Sequence, residues 1–362
     1  MPVDVEQLLR KLSEASGVSG YEVEMRSIVT AAFSESADEV RHDSMGNVIA
    51  LQRGVGDTPR HSIMLAAHLD EIGLMVTQTK EGFIQFDTVG GFDPRALLGQ
   101  LVVVHGRCAL PGVISSRPPH VLSAADRNKV IPIDQLYIDV GLRQTDLEGL
   151  VRVGDLISLK QDFLRLRGDM ASGKAMDDRA GVASLLVCLD ELTRVRHLWD
   201  VYAVATVQEE VGLKGAITSA FGLAPDLGIA VDVGFGHQPG VPEAETLPIG
   251  KGPAVAIGPN VHPKMFERLV KAAKDYEIAY VTEAIPGRSG TDAWAIQVAR
   301  EGIPTGLLSI PVRYMHTVVE TVNLKDVSRT GRLMAAFIAQ LDGDALDAIS
   351  WKLPSVQDGA AS

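Results

Sequence analysis

Short apolar runs that end in acidic residues or histidine constrain this sequence most strongly. The run at 62–67 (SIMLAA) leads into His68, and the run at 202–207 (YAVATV) leads into Glu209 and Glu210. Continuous apolar runs of this length are typical of strands buried on both faces of a sheet, where carboxylates are costly. The pattern therefore predicts central strands of a sheet whose ends carry functional polar side chains.

Helical and strand-like segments alternate along most of the chain. A helix at 3–15 is followed by a second one to about Phe33, for which Ser19 and Glu22 resemble a capping box. After Asp177 the sequence predicts helices at 178–195, 263–275, 291–301 and 325–341 and strands at 200–207, 227–233 and 304–310. This alternation favours an α/β/α architecture, in which helices cover a mixed sheet.

Residues 75–165 have a different character. Short β-rich pieces (FIQFDTV, LVVVHG, QLYIDVG and DLISL) alternate there with Gly, Pro and Asp turns, and helical periodicity is scarce apart from a short turn expected at 123–127. This pattern is typical of a small barrel or sandwich. We predict an α/β domain formed by 1–74 and 166–350, interrupted by a β-rich domain at 75–165 and followed by a frayed tail at 351–362.

Composition excludes several classes of function. The net charge is −12 and the chain has no basic cluster, which makes nucleic acid and anionic membranes poor partners. No apolar run approaches the length of a membrane span, and the first residues lack a secretion signal. Cys108 and Cys188 form no close pair, so neither a disulfide framework nor a thiolate zinc site is expected. These features favour a cytoplasmic protein.

Five polar residues follow or end predicted strands, or lie in the loop that opens the helix at 178–195. In open α/β sheets, ligands bind beyond the carboxyl ends of the strands, so these side chains are expected to converge. They are His68, Asp177, Glu210, Asp232 and His316. Two imidazoles and three carboxylates suit zinc, cobalt or manganese, and they suffice for two ions if one carboxylate bridges them.

The adjacent Glu209 and Glu210 suggest a division of labour. Neighbouring side chains on a strand point in opposite directions, so one glutamate would bind metal while the other faces the pocket as general base. Asp70, two residues after His68, would orient that imidazole through its second nitrogen. Each element alone has a simpler explanation, such as an N-cap for Asp177 and Asp178. Their joint placement at strand ends favours the metal site.

The motifs of this set resemble those of one known family. In chain order they are AAHLDEIGLMV, KAMDDRAGVASLL, VQEEVGLKGA, AVDVG, SGTDAWAIQ and PVRYMHTVVE. They resemble the motifs of the TET-type (tetrahedral) aminopeptidases, which are dinuclear metallo-exopeptidases that include glutamyl, leucyl and deblocking enzymes. Some relatives carry an endoglucanase label. The resemblance extends from about residue 5 to residue 345.

The resemblance implies a role for each residue of the set. Asp177 would bridge two divalent ions, zinc or cobalt, with a cis peptide bond to Asp178. The remaining ligands would be His68 and Asp232 at one ion, and Glu210 and His316 at the other. Glu209 would be the general base for a hydroxide held between the ions, and Asp70 would support His68.

The resemblance also implies how the protein assembles and what it cleaves. The 75–165 segment would be a PDZ-like insertion that serves oligomerisation, with dimers building a hollow dodecamer. Substrates would be short peptides cleaved at their N-terminal residue. Near the specificity region, Arg288, Thr291 and Asp292 are candidate substrate contacts, and Arg288 would favour acidic side chains if it faces the pocket.

Two other reactions remain open at this stage. A metal-dependent deacylase or amidase would use the same metals on N-acyl amino acids or peptides. An endoglucanase would need a pair of carboxylates without metal, which leaves His68 and His316 without a role. Cleavage of blocked substrates would indicate the first alternative, and activity that is insensitive to a chelator would indicate the second.

Overall fold

The computed structural model describes residues 3–121, 123 and 129–349. The helices are α1 (Val5–Glu14), α2 (Val23–Phe33), α3 (Gln144–Leu147), α4 (Met176–Leu192), α5 (Lys214–Leu223), α6 (Pro263–Asp275), α7 (Asp292–Gln297), α8 (Leu324–Ala339) and α9 (Ala345–Ile349). The strands are β1 (Glu39–His42), β2 (Val48–Gln52), β3 (Ser62–His68), β4 (Gly73–Lys80), β5 (Phe83–Val89), β6 (Leu101–His105), β7 (Ala109–Ser115), β8 (Tyr137–Asp139), β9 (Leu156–Leu159), β10 (Leu164–Arg165), β11 (Met170–Gly173), β12 (Asp200–Thr206), β13 (Leu227–Phe235), β14 (Ala254–Ile257), β15 (Val281–Ala284), β16 (Thr305–Arg313) and β17 (Glu320–Asn323). The turn expected at 123–127, apart from Ser123, and the tail at 351–362 lie outside the described residues.

One large mixed sheet organises the chain outside the barrel. Its eleven strands run in the order β1-β2-β12-β3-β13-β16-β17-β11-β10, with β14 paired to β16 and β15 to β14. The centre is parallel, because β12, β3, β13 and β16 run in one direction. Antiparallel strands complete both flanks. The predicted mixed α/β sheet is therefore confirmed.

Strand β3 shows why the central runs are apolar throughout. Ile63, Leu65 and Ala67 pack into a core that also contains residues of α1, α4, α6 and α8. Met64 and Ala66 point to the other face and pack with residues of α5 and α7. Because successive side chains of a strand alternate between faces, a strand covered on both faces needs apolar residues at every position.

Two predicted helices differ from the observed ones. Ser19 does not cap α2, because its hydroxyl donates to the Asp70 carboxylate at 2.6 Å. The residue before α2 is Glu22, whose side chain makes no capping hydrogen bond, so the capping box is wrong. The helix predicted at 291–301 ends at Gln297, and Arg300 has a positive φ of 52° that no helix accommodates.

The predicted β-rich insertion is a closed barrel. Its six strands follow the order β4-β5-β8-β7-β6-β9, and they enclose a separate apolar core that includes Val76, Ile84, Val102 and Ile138. Residues 69–72 connect β3 of the large sheet to the barrel, and after the barrel the chain re-enters the large sheet at β10. Among the helices of the described residues, none is both long enough and apolar enough to cross a membrane.

Candidate metal centre

The carboxyl ends of four neighbouring strands form the floor of the candidate site. His68 is the last residue of β3, and Asp232 lies in β13 beside it. Glu209 and Glu210 follow the end of β12, and His316 follows β16. Since these strands are parallel, their ends meet at one edge of the sheet, as the sequence predicted.

Asp177 lies between the two histidines. Its Oδ1 is 3.0 Å from Nε2 of His68, and its Oδ2 is 3.4 Å from Nε2 of His316. Each carboxylate oxygen therefore faces a different imidazole. The peptide bond from Asp177 to Asp178 is cis, which confirms that prediction.

The other carboxylates surround this pair of histidines. Glu210 lies 3.6 Å from Nε2 of His316, whereas Asp232 and Glu209 each lie 4.0 Å from Nε2 of His68. Three groups of side chains have potential ligand atoms within 4.8 Å of one another. They are Asp177, Glu210 and His316; His68, Asp178 and Asp232; and His68, Glu209 and Glu210.

Burial makes this cluster electrostatically unusual. Desolvation, reinforced by neighbouring carboxylates such as Asp232, raises the pKa of Glu209 to about 10 against the opposing charge of His68. Desolvation and the Asp177 carboxylate likewise raise the pKa of Glu210 to about 7. Burial alone would lower the pKa of His68, but its contacts with Asp177 and Asp70 outweigh burial, and the pKa is raised overall. Carboxylates this crowded repel one another unless a cation lies among them.

The donor set fits divalent metal ions. Imidazole nitrogens and carboxylate oxygens are the ligands of zinc, cobalt and manganese sites. One buried oxygen of Asp178, Oδ2, has no hydrogen-bond partner among the residues that the structure describes. Asp178 is one of the three residues in the group with His68 and Asp232. The other carboxylate oxygen of Asp178 accepts from the backbone N–H of Gly181 at 2.9 Å. Because Asp177 and Asp178 have non-helical backbone angles within α4, this contact resembles an N-cap of the helical turns that follow them.

Asp70 supports the site in two ways. The backbone carbonyl of Asp70 lies 3.1 Å from Nδ1 of His68, and one oxygen of its carboxylate lies 3.6 Å from the same nitrogen. The carboxylate also accepts from the backbone N–H groups of Glu209 and Glu210 at 3.0 and 3.2 Å. Both glutamates thus lie in a turn beyond β12, held by Asp70. Strand alternation, the reason given for their separate roles, does not apply to them.

Glu320, the first residue of β17, supports the site from the opposite side. Its Oε1 accepts from the backbone N–H of His316 at 2.7 Å, and its Oε2 accepts from that of Asp177 at 3.1 Å. Burial and the Asp177 carboxylate raise the pKa of Glu320 to about 8. Sequence reasoning assigned Glu320 no role. Its position four residues after His316, in the last quoted motif, was the available signal.

A buried ion cluster joins the residues after His68 to the residues on either side of Asp177. Glu71 pairs with Lys174 at 2.6 Å and with Arg179 at 3.3 Å. Lys174 also donates to the carbonyl of Ala15, and Arg179 donates to that of Leu69. Burial alone would raise the pKa of Glu71, but the charges of Lys174 and Arg179 outweigh burial, and the pKa is lowered overall. These residues stand next to predicted ligands in the motifs, yet only the fold shows that they contact one another.

A cavity of about 320 Å³ opens beside the candidate metal ligands. It is lined by His68, Asp177, Glu209, Glu210, Asp232, Val233, Gly234, Phe235, Glu283, Ile285, Ser289, Gly290, Thr291, Leu307, Ser309, Met315 and His316. The lining therefore combines the candidate metal ligands and Glu209 with a second, mostly uncharged set of residues, which we call the recess: Val233, Gly234, Phe235, Glu283, Ile285, Ser289, Gly290, Thr291, Leu307, Ser309 and Met315. Such a concave site beside reactive groups is typical of a substrate pocket.

The three candidate substrate contacts lie in different places. Thr291 lines the cavity, and its hydroxyl accepts from the N–H of Ala293 at the start of α7. Asp292 is buried behind the wall, where its carboxylate accepts from the Thr206 hydroxyl at 2.5 Å. Arg288 lies over the ring of Trp294, in a neighbouring cavity that shares Glu209 and Glu210.

Comparison with known proteins agrees with this geometry. Residues 46–333 match the family described as M42 glutamyl aminopeptidase. A lysyl aminopeptidase of Pyrococcus furiosus is 37% identical over 341 residues, which cover 92% of this chain and 97% of that protein.

Solved structures show the same fold. An aminopeptidase of the archaeon Desulfurococcus kamchatkensis is 37% identical and superimposes with a TM-score of 0.89 over 98% of this chain and 99% of that one. The TET1 peptidase of Pyrococcus horikoshii, which can assemble into a tetrahedron or a large octahedral shell, is 32% identical with a TM-score of 0.82 over 93% of this chain and 100% of that one.

Proposed function

Because the chain belongs to the M42 glutamyl aminopeptidase family, we propose that it removes N-terminal residues from short peptides at the centre described above. The observation that carries this proposal is the position of Asp177, whose two oxygens face two imidazoles at the wall of the substrate cavity. This arrangement suits a bridging carboxylate between two divalent ions.

We assign the metal ligands from the observed contacts. His68 and Asp232 would hold one ion, and Glu210 and His316 the other, with Asp177 shared between them. Bound zinc or cobalt would supply Lewis acidity for the scissile carbonyl and would lower the pKa of a coordinated water. The backbone of the ligand-bearing segments is held by Asp70 on one side and by Glu320 on the other.

Glu209 is the residue that we assign as general base. It lines the cavity, and its carboxylate lies 4.0 Å from Nε2 of His68, beside the proposed position of the ions. It would take a proton from the attacking water and deliver it to the amine of the departing peptide. Its backbone bond to Asp70 fixes the turn from which the carboxylate projects.

Assembly and location complete the proposal. We propose that residues 75–165 act as an oligomerisation unit, and that the chain forms a dodecamer built of dimers with the active sites facing an internal chamber. The related TET1 peptidase of Pyrococcus horikoshii assembles into closed shells, which supports this assignment. A cytoplasmic location is supported by the free thiols of Cys108 and Cys188.

One experiment tests the reaction. The metal-reconstituted protein is incubated with a mixed set of short peptides, free and N-acetylated, with and without chelator, and the products are read by mass spectrometry. We expect stepwise loss of N-terminal residues from the free peptides alone, abolished by the chelator. Cleavage of the acetylated peptides would instead assign a deacylase, and chelator-resistant cleavage would contradict a metal-dependent mechanism.

The role of Glu209 is tested in the same assay. Glu209→Gln removes the proton acceptor but keeps the size of the side chain, so we expect a loss of turnover of about 100-fold or more with metal content unchanged. The control is Glu301→Gln, which makes the same charge change at an exposed residue before β16. A Glu209→Gln variant with wild-type turnover would refute the assignment.

A further inference from the structure

The recess of the substrate cavity contains one charged residue that the reaction does not use. Apart from the metal-centre residues and Glu283, the lining consists of apolar, glycine, serine and threonine residues. The apolar wall is formed by Val233, Phe235, Ile285, Leu307 and Met315. Glu283 is therefore the one ionisable group available to a side chain that enters this recess, among the residues that the structure describes.

The surroundings of Glu283 leave its charge uncompensated. The Ser309 hydroxyl donates to Oε2 of Glu283 at 2.5 Å. Burial raises the pKa of the Glu283 carboxyl, and the Ser309 hydrogen bond is the one influence that opposes it. Within the described part of the chain, no lysine, arginine or histidine pairs with Glu283. Glu283 is partly buried, and a partly buried carboxylate without a counter-charge is unfavourable, so a cation that enters the recess would relieve that cost.

The strand register relates Glu283 to the candidate metal centre. Ser309, which holds Glu283, lies in register with Asp232 on the adjacent strand, and adjacent strands are about 4.8 Å apart. A lysine side chain reaches about 6 Å from Cα to Nζ when extended, given C–C bonds of about 1.5 Å. A substrate whose scissile carbonyl is at the metal centre could therefore place an ammonium group near Glu283, with its methylenes along the apolar wall.

From these contacts we infer that Glu283 is a specificity-determining residue that selects peptides with a basic N-terminal side chain, lysine or arginine. The inference rests on the proposed aminopeptidase function. An acidic side chain would meet the Glu283 carboxylate with no basic group in the recess to offset the repulsion. Arg288, which would favour acidic residues, lies in the neighbouring cavity and not in this recess.

The test compares kcat/KM for tripeptides X-Ala-Ala in which X is lysine, arginine, norleucine, leucine or glutamate. Norleucine has nearly the length of lysine but no amine, so the ratio of lysine to norleucine isolates the contribution of the charge. The variants are Glu283→Gln and, as a matched control, Glu301→Gln. The Glu283 pairing predicts about 10- to 100-fold higher kcat/KM for lysine than for norleucine, as expected for a hydrogen-bonded charge pair.

We expect Glu283→Gln to reduce this ratio by the same factor through a loss on lysine and arginine, with norleucine hydrolysis retained. The Glu301→Gln variant should keep the wild-type ratio. A wild-type preference for leucine, norleucine or glutamate would overturn the inference. An unchanged lysine preference in an active Glu283→Gln variant would overturn it as well. Either result leaves the aminopeptidase assignment intact. If the protein hydrolyses none of the five peptides, both the inference and the aminopeptidase assignment are overturned.

Discussion

Glu320 shows how a single side chain can hold the backbone of two proposed metal ligands. Its carboxylate accepts from the backbone N–H groups of Asp177, the proposed bridge, and of His316. Residues that orient ligands in this way typically contribute as much to a metal site as some ligands do. Glu320 is therefore a positioning residue in the proposed centre.

At the scale of single residues, we predict the effect of Glu320→Gln on metal affinity. The amide can accept from only one of the two N–H groups, so one ligand segment loses its anchor, and metal affinity should fall about 10- to 100-fold. Metal titration followed by calorimetry measures this change, and circular dichroism verifies the fold. Excess metal should restore much of the activity, which a collapsed site would not allow. Wild-type metal affinity in this variant would rule out the positioning role.

Helix α4 carries Asp177 at its start and packs closely against α8. A Cβ atom at Gly331 of α8 would lie 2.5 Å from the Ser184 carbonyl oxygen and 2.5 Å from Cβ of Val187. Real side chains do not tolerate such distances, so this contact requires glycine. The close approach holds α4, and with it the segment of Asp177, against the core.

Gly331→Ala should therefore destabilise the protein. Overpacking of this kind costs about 1–3 kcal/mol, because the helices must separate to admit the methyl group. The matched control is Gly222→Ala in α5, where no atom lies within 4 Å of the added carbon and alanine should be neutral or slightly stabilising. The measurement is Tm by scanning calorimetry of both variants. Equal Tm values for the two variants would contradict the tight approach of α4 and α8.

At the scale of the whole molecule, one face of the barrel is unusually apolar. Leu101 of β6 pairs with Val113 of β7, and the two side chains are 53% and 43% exposed. Leu98, just before β6, is 48% exposed. Adjacent exposed apolar side chains are typical of a contact surface between subunits, which agrees with the proposed role of residues 75–165.

We predict that the purified protein has a mass several times that of one chain in light scattering, and that Leu101→Lys lowers it. A lysine at this exposed site leaves the barrel core intact but places a charge in the proposed contact. Val55→Lys, at a position that is 62% exposed in the loop before β3, is the control and should keep the wild-type mass. A monomeric wild-type protein would contradict the proposed assembly.

The misread and unpredicted features share one cause. Ser19 looked like a helix cap, but it binds Asp70, 51 residues away, and Glu320 binds Asp177 across 143 residues. Glu283 stands in a short strand with no neighbouring motif, and its relation to Ser309 arises only when β14, β15 and β16 associate. Local patterns carry no information about such partners, because the partner is chosen by strand order and not by spacing along the chain.

By itself the sequence determined the mixed sheet, the β-rich insertion and the chemical identity of the candidate ligands. It could do so because burial on both faces imposes continuous apolar runs, and polar residues at the ends of parallel strands must meet at one edge. Tertiary structure alone decided which oxygen of Asp177 faces which histidine. It also decided that the carboxylates of Asp70 and Glu320 hold the backbone and that the carboxylate of Glu283 lies in the recess. Those outcomes depend on distances of a few ångströms between segments that are remote in sequence, and only the packed fold sets them.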